Sequence, residues 1–275
     1  MSSMSPLVSR CQSVLSIAGS DSGGGAGLQA DLKSFMAMGV HGLTAVAALT
    51  AQNTRAVTAV WLPPAEFIRE QIRCLLDDFD VRAIKIGMLA DVQRIDAVAE
   101  ALREVSIPIV LDPVMISSSG ASLLADEAVA CLRASLLPRA TLLTPNLPEA
   151  EVLVGFPIRS APDFDRAARA LRELGATGVL LKGGHSDGEG VVLDRLYVGD
   201  GVHVFQHPRL AVSPHGTGCS LSSAIAANLA KGQGLVQAVQ VAIEFVHAAL
   251  IGAYRPGRGQ LYVLDHAIAF KADHA

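Results

Sequence analysis

Cys219 sits in the turn Gly216-Thr217-Gly218-Cys219, at the head of an apolar run that begins Ser220-Leu221-Ser222-Ser223-Ala224. Flexible Gly-x-Gly backbone, the unpaired N–H groups of a helix start and a thiol in the first turn make an oxyanion site with a candidate base inside it. The positive end of the helix is expected to lower the thiol pKa by about a unit or more. The same pattern also fits a small buried cysteine that closes a helix start.

A second glycine-rich segment, Ala18-Gly19-Ser20-Asp21-Ser22-Gly23-Gly24-Gly25-Ala26-Gly27, lies between a strand pattern and a helix pattern. Its glycines let backbone approach a phosphate or polar ring, or they simply make a tight turn. No Gly-Lys-Ser/Thr follows, so it is not a Walker A loop, and the spacing departs from Gly-x-Gly-x-x-Gly. In Thr144-Pro145-Asn146-Leu147-Pro148-Glu149, Asn146 and Glu149 stand at the spacing of a capping box. Glu149 there could also hold Mg²⁺. Asp112 and Lys182 each follow an apolar run, where a carboxylate would suit Mg²⁺ and a lysine phosphate, or either could be solvated loop charge.

The elements that must position these groups read as alternating strands and helices. Apolar runs at 14–18, 43–49, 83–87, 107–111, 141–144 and 178–181 suit parallel strands covered on both faces. Helical patterns fall at 26–38, 64–77, 92–105, 126–136, 146–154, 161–174, 220–229 and 236–251, and an antiparallel hairpin at 195–205. With no linker or repeat, residues 13–275 read as one three-layer α/β domain with a mainly parallel sheet, after a flexible N-terminus at 1–12. Ligands of such sheets collect at the carboxyl ends of the strands, where nearly all these motifs fall.

Bulk properties narrow the partners. The 275 residues carry 22 Lys+Arg against 26 Asp+Glu, with no basic run, so nucleic acid is not expected. Four scattered cysteines fit a reducing, cytoplasmic setting. The first dozen residues offer neither a secretory segment nor a membrane span, so no membrane association is expected.

Taken in order, Ala18 to Lys33, Thr50-Ala51-Gln52-Asn53-Thr54, Lys85-Ile86-Gly87-Met88-Leu89, Asp112-Pro113-Val114-Met115, Thr144 to Glu149, Lys182-Gly183-Gly184-His185 and His215 to Cys219 resemble the ribokinase-fold vitamin kinases. The resemblance covers about residues 14–253 and is strongest to the hydroxymethylpyrimidine/phosphomethylpyrimidine kinases of thiamine biosynthesis. It implies a three-layer α/β/α ribokinase-like fold, ATP and Mg²⁺ as cofactors, a pyrimidine substrate and a homodimer. It also implies that Gly19, Asp31, Gln52 and Met88 contact the aminopyrimidine. Asp112, Asn146 and Lys182 would surround the ATP phosphates, with Glu149 and Asp112 at Mg²⁺ and Gly216, Thr217 and Gly218 as the anion hole.

By the same resemblance, Cys219 stands where related sugar kinases carry an aspartate base. Two departures stand out: Ser117-Ser118-Ser119 replaces a loop that commonly bears a lysine, and Pro214 replaces a common threonine. Three rival readings follow: a pyridoxal/pyridoxine kinase of the same fold, a non-catalytic pyrimidine sensor, and, least favoured by the glycine spacing, a dinucleotide oxidoreductase.

Overall fold

The computed structural model describes residues 11–115, 124–185, 190–210 and 214–271. The Ser117–Ser119 departure and residues 1–10 of the expected N-terminal tail lie outside the described residues. The chain runs β1 (Ser13–Asp21), α1 (Gly27–Ala37), β2 (His41–Gln52), β3 (Val57–Trp61), α2 (Ala65–Asp78), β4 (Val81–Ile86), α3 (Val92–Ala101), β5 (Ile109–Leu111), α4 (Asp126–Ser135) and β6 (Leu142–Leu143). It continues α5 (Leu147–Val154), α6 (Ala161–Glu173), β7 (Gly178–Leu181), β8 (Val191–Val198), β9 (Gly201–Pro208), β10 (Pro214–His215), α7 (Thr217–Ala230), α8 (Leu235–Ile251), β11 (Tyr262–Val263) and α9 (Ile268–Lys271).

A nine-stranded sheet has the order β3-β2-β1-β4-β5-β6-β7-β8-β9. Pairing is parallel from β2 through β1 and β4 to β7, and antiparallel at β2–β3, β7–β8 and β8–β9. The sheet is therefore mainly parallel, as the apolar runs require.

Alternation along the strands supplies both faces. Leu15, Ile17, Ile84, Ile86, Leu111 and Leu181 join one core with residues of α2 to α6. Val14, Ala83, Val110, Leu142 and Leu180 join the other with α1, α7 and α8. Three layers result.

The chain leaves β1 toward β2 on one side and later returns to β4 on the other. That reversal opens a crevice at the carboxyl ends, where ligands of open α/β sheets bind. Around it stand the ends of β1, β4, β5, β6 and β7 and the N-termini of α1 and α7.

Four elements were not expected from the sequence, the short helix α9 among them. β3 is an additional edge strand, and β10 pairs in parallel with β11 as a small separate sheet that carries His215. All four cysteines are free. Among the described residues no helix is long and apolar enough to cross a membrane.

Candidate active site

A single cavity of about 780 Å³ runs across the carboxyl ends of the strands. In strand order its walls include Gln52 at the end of β2, Gly19 and Asp21 of β1, Met88 after β4, Asp112 after β5, Glu149 in α5 and Lys182 after β7. Gly216, Thr217, Gly218 and Cys219 also line it. Gly19 and Met88 face one another closely, since a Cβ on Gly19 would lie 3.0 Å from the Met88 sulfur.

The two glycine segments interlock backbone to backbone. Gly216 has φ +87, and a Cβ there would lie 1.9 Å from the carbonyl oxygen of Gly25. Gly27 has φ +55, and its Cβ would fall 2.3 Å from the Gly19 carbonyl oxygen. A side chain at Gly216 would therefore force the two segments apart, and one at Gly27 would open the first segment itself.

Asp21 shapes the first loop by accepting hydrogen bonds from the N–H groups of Gly23, Gly25 and Ala26 at 2.8–2.9 Å. Gly216 caps α7, and the first intrahelical bond runs from the Ser220 N–H to the Gly216 carbonyl at 2.9 Å. The N–H groups of Thr217, Gly218 and Cys219 consequently have no acceptor within the helix. The Gly27 N–H, at the start of α1, is directed at the Cys219 sulfur, so two helix N-termini converge on it.

The expected lowering of the Cys219 pKa is not what the site produces. Burial pushes the thiol up to about 11, and the carboxylates of Asp31 and Asp112 add to that effect. Lys85 and the Gly27 N–H act the other way without prevailing. Desolvation of a thiolate outweighs the partial charge of a helix end.

Asp31 also departs from its expected place. It is fully buried beneath the cavity and does not line it. Both its oxygens bind Lys85 Nζ, at 2.8 and 3.0 Å, while Ser16 Oγ donates at 2.5 Å and Ser223 Oγ at 2.8 Å.

The physical reason for this displacement is strand parity. Ser16 and Lys85 are cross-strand partners in β1 and β4, on the face covered by α1 and α7. The carboxylate of α1 therefore meets an ammonium rather than a ligand. Lys85, which the sequence reading had not singled out, is the residue of the pair that reaches the cavity. Lys85→Met would leave the Asp31 charge buried without its counter-ion, at an expected cost of about 3–5 kcal/mol, read from urea unfolding.

Asp112, Lys182, Glu149 and Asn146 do come together. Lys182 Nζ lies 2.9 Å from Asp112 Oδ1 and 3.9 Å from Glu149 Oε2, and Thr144 Oγ1 donates to Asp112 at 3.1 Å. The capping box forms: Asn146 Oδ1 accepts from the Glu149 N–H at 2.9 Å, and Glu149 Oε2 from the Asn146 N–H at 2.8 Å. Capping and a place in the cavity wall are therefore compatible for Glu149.

Burial, reinforced by Asp112, raises the Glu149 pKa to about 7 although Lys182 opposes it. Two buried carboxylates beside a single ammonium form a donor set suited to a hard divalent cation. A Cβ on Gly218 would lie 3.2 Å from Lys182 Nζ and 3.4 Å from Asp112 Oδ2, so this cluster abuts the α7 turn.

A further stretch of wall, largely apolar but with Asp194 and Arg209 among its residues, was not read from the sequence. Val192, Ile243, Val246 and Leu250 line it with His207 and His247. Most of these residues sit in α8 and β8, where an apolar residue signals core just as well.

Comparison with known proteins agrees with this geometry. A family model described as phosphomethylpyrimidine kinase matches residues 21–263. The chain is 45% identical over 257 residues to the hydroxymethylpyrimidine/phosphomethylpyrimidine kinase of Streptomyces coelicolor, covering 93% of this chain and 94% of that one. Among solved structures, phosphomethylpyrimidine kinase from Clostridium difficile superposes with TM-score 0.78 at 40% identity, covering 87% and 99% of the two chains. An ADP complex of Bacillus subtilis pyridoxal kinase gives TM-score 0.86 at 34% identity, covering 95% and 99%.

Proposed function

The chain belongs to the phosphomethylpyrimidine kinase family, and from that premise we propose that it phosphorylates a hydroxymethylpyrimidine twice, with ATP as donor, in thiamine biosynthesis. The first transfer goes to the alcohol and the second to the resulting monophosphate. The observation that carries this reading is the convergence in one cavity of the α7 amides, Cys219 and the Asp112–Lys182–Glu149 cluster. Pyridoxal kinase shares the fold at lower identity, 34% against 45% for the pyrimidine kinase of S. coelicolor.

Phosphoryl transfer asks the protein mainly for alignment and charge stabilisation. The amides of Thr217, Gly218 and Cys219 are placed to receive charge on the transferring group. Lys182, fixed by Asp112, would meet a phosphate oxygen beside Gly218. Asp112 and Glu149 would hold Mg²⁺, which when bound neutralises phosphate charge. The thiolate form of Cys219 accepts the hydroxyl proton in the first transfer. Gln52, Met88 and Gly19 contact the ring, and the apolar wall of β8 and α8 covers the nucleotide base. A cytoplasmic homodimer is part of the proposal.

Mg²⁺ should raise Tm, and raise it more near pH 8 than near pH 6. Glu149 titrates at about 7, and its protonated form below that pH offers the ion no charge. Calorimetry of Glu149→Gln should show the Mg²⁺ increment reduced and no longer dependent on pH.

The reading itself is tested by mass detection of products from hydroxymethylpyrimidine and Mg-ATP, with pyridoxal as the competing alcohol. Mono- and diphosphate of the pyrimidine are expected in succession. Phosphorylation of pyridoxal without any pyrimidine product would contradict it.

A further inference from the structure

The carboxamide of Gln52 can sit either way round, and its neighbours decide which. The structure sets its nitrogen 2.8 Å from His215 Nε2 and its oxygen 3.3 Å from Thr50 Oγ1, and the neighbours call for the reverse. Amide oxygen and nitrogen have the same shape, so only hydrogen bonding distinguishes them.

The His215 side gives the first argument. Its Nε2 also lies 3.2 Å from Asp21 Oδ2. Asp21 already accepts the N–H of Gly23 on Oδ1 and those of Gly25 and Ala26 on Oδ2, at 2.8–2.9 Å, and three such donors favour the carboxylate. Asp21 is therefore ionised and can only accept. A ring nitrogen facing it must carry a proton, since a bare lone pair would confront another. The amide end next to that N–H is then the carbonyl.

Thr50 gives the second argument independently. Its hydroxyl has one proton, and the shorter of its two contacts is to the Ser20 carbonyl oxygen, at 2.9 Å. Only lone pairs remain for Gln52, so the end facing Thr50 is the NH₂.

We infer that Asp21 and His215 lock the Gln52 carboxamide with its carbonyl toward His215 and its NH₂ toward Thr50, and that this order selects and orients the substrate ring. Asp21 and His215 are thus positioning residues that act through Gln52. The inference rests on the function proposed above and deepens it.

Each end of the locked amide keeps spare capacity, a lone pair on the carbonyl and a proton on the NH₂. A pyrimidine bearing an amine beside a ring nitrogen matches that pair in one orientation, with the amine toward the His215 side. His215 leads directly into the Gly216 to Cys219 turn. When the hydroxymethyl group is carried by the carbon next to the amine-bearing one, this orientation turns the hydroxyl toward Cys219. A reversed amide would turn it away. A pyridoxal-type ring has no hydrogen-bond donor on either carbon beside its ring nitrogen, so it cannot satisfy both ends of the locked amide and the lock disfavours it.

Two measurements test this. In protein labelled with ¹⁵N-histidine, His215 Nε2 is expected to resonate as a protonated ring nitrogen near neutral pH. In kinetics, His215→Phe should raise KM for hydroxymethylpyrimidine about 10-fold, the loss expected for one oriented hydrogen bond, with kcat changed much less. His215→Gln, whose NH₂ can still bridge Asp21 and the Gln52 carbonyl, should restore most of the affinity.

A bare Nε2 in wild-type enzyme that turns over would overturn the inference alone, and so would equal KM in folded Phe and Gln variants. The nitrogen signal does not depend on the Phe variant folding. Failure of wild type to phosphorylate the pyrimidine at all would instead overturn the proposed function, and this inference with it.

Discussion

Cys219→Ala is expected to slow phosphorylation of the alcohol by about 100-fold or more, the usual worth of a positioned general base, and to leave phosphorylation of the monophosphate within a few-fold of wild type. An alcohol must lose its proton as it attacks. A phosphate monoester is already mostly ionised near neutral pH, so the thiol has almost nothing to remove in the second transfer. Rapid-quench measurement of each step separately checks this.

The pH dependence carries the same signature. With its pKa pushed up to about 11, Cys219 is protonated at neutral pH. Its thiolate share therefore rises about tenfold for each unit of pH through the neutral range. The first transfer in wild type should climb with pH accordingly, and the second should not share that slope. In Cys219→Ala the slope of the first transfer should disappear.

Gly216→Ala should be the more damaging change, and it should strike both transfers. A side chain at φ +87 with its Cβ 1.9 Å from the Gly25 carbonyl oxygen must separate the two glycine segments. The amides of α7 would then miss the transferring group, for an expected loss of about 100-fold or more in each step. The strain should also lower stability by about 3 kcal/mol. Gly232→Ala provides the control: φ there is +82, but nothing lies within 4 Å of its Cβ. It should cost about 1 kcal/mol at most and leave both transfers intact.

The contrast between these substitutions separates two jobs within one turn. The backbone amides act on the phosphoryl group, which is common to both reactions. The thiol acts on the acceptor, which is not.

Local pattern made most of the scaffold legible. β7 matches its expected bounds, Gly178–Leu181, because four buried apolar residues stand between a turn and Lys182. The other strands of the parallel core and the helices from α1 to α8 were readable to within a few residues, since faces covered on both sides leave continuous apolar runs. β3 was not readable, because it is an exposed edge strand whose side chains mostly face solvent, with no alternation to reveal it.

The site was legible where a motif itself makes the geometry. Asn146 and Glu149 form their capping box from spacing alone, and the glycines at 216 and 27 stand where no side chain fits. Asp31 was not legible in this way. Its surroundings are set by Lys85, 54 residues on, and Ser223, 192 residues on, and only the packing of α1 and α7 on one face of the sheet brings these together. The Cys219 pKa failed for a related reason. A helix start can be read from sequence, but the burial of the thiol and the carboxylates around it cannot.

The most direct test of the account places both acceptors in one tube. Cys219→Ala would be given Mg-ATP, unlabelled hydroxymethylpyrimidine and isotope-labelled monophosphate, with products read by mass. The account predicts labelled diphosphate at close to the wild-type rate and almost no unlabelled monophosphate. An equal fall in both products would contradict it, because the thiol would then serve the site as a whole rather than the alcohol alone.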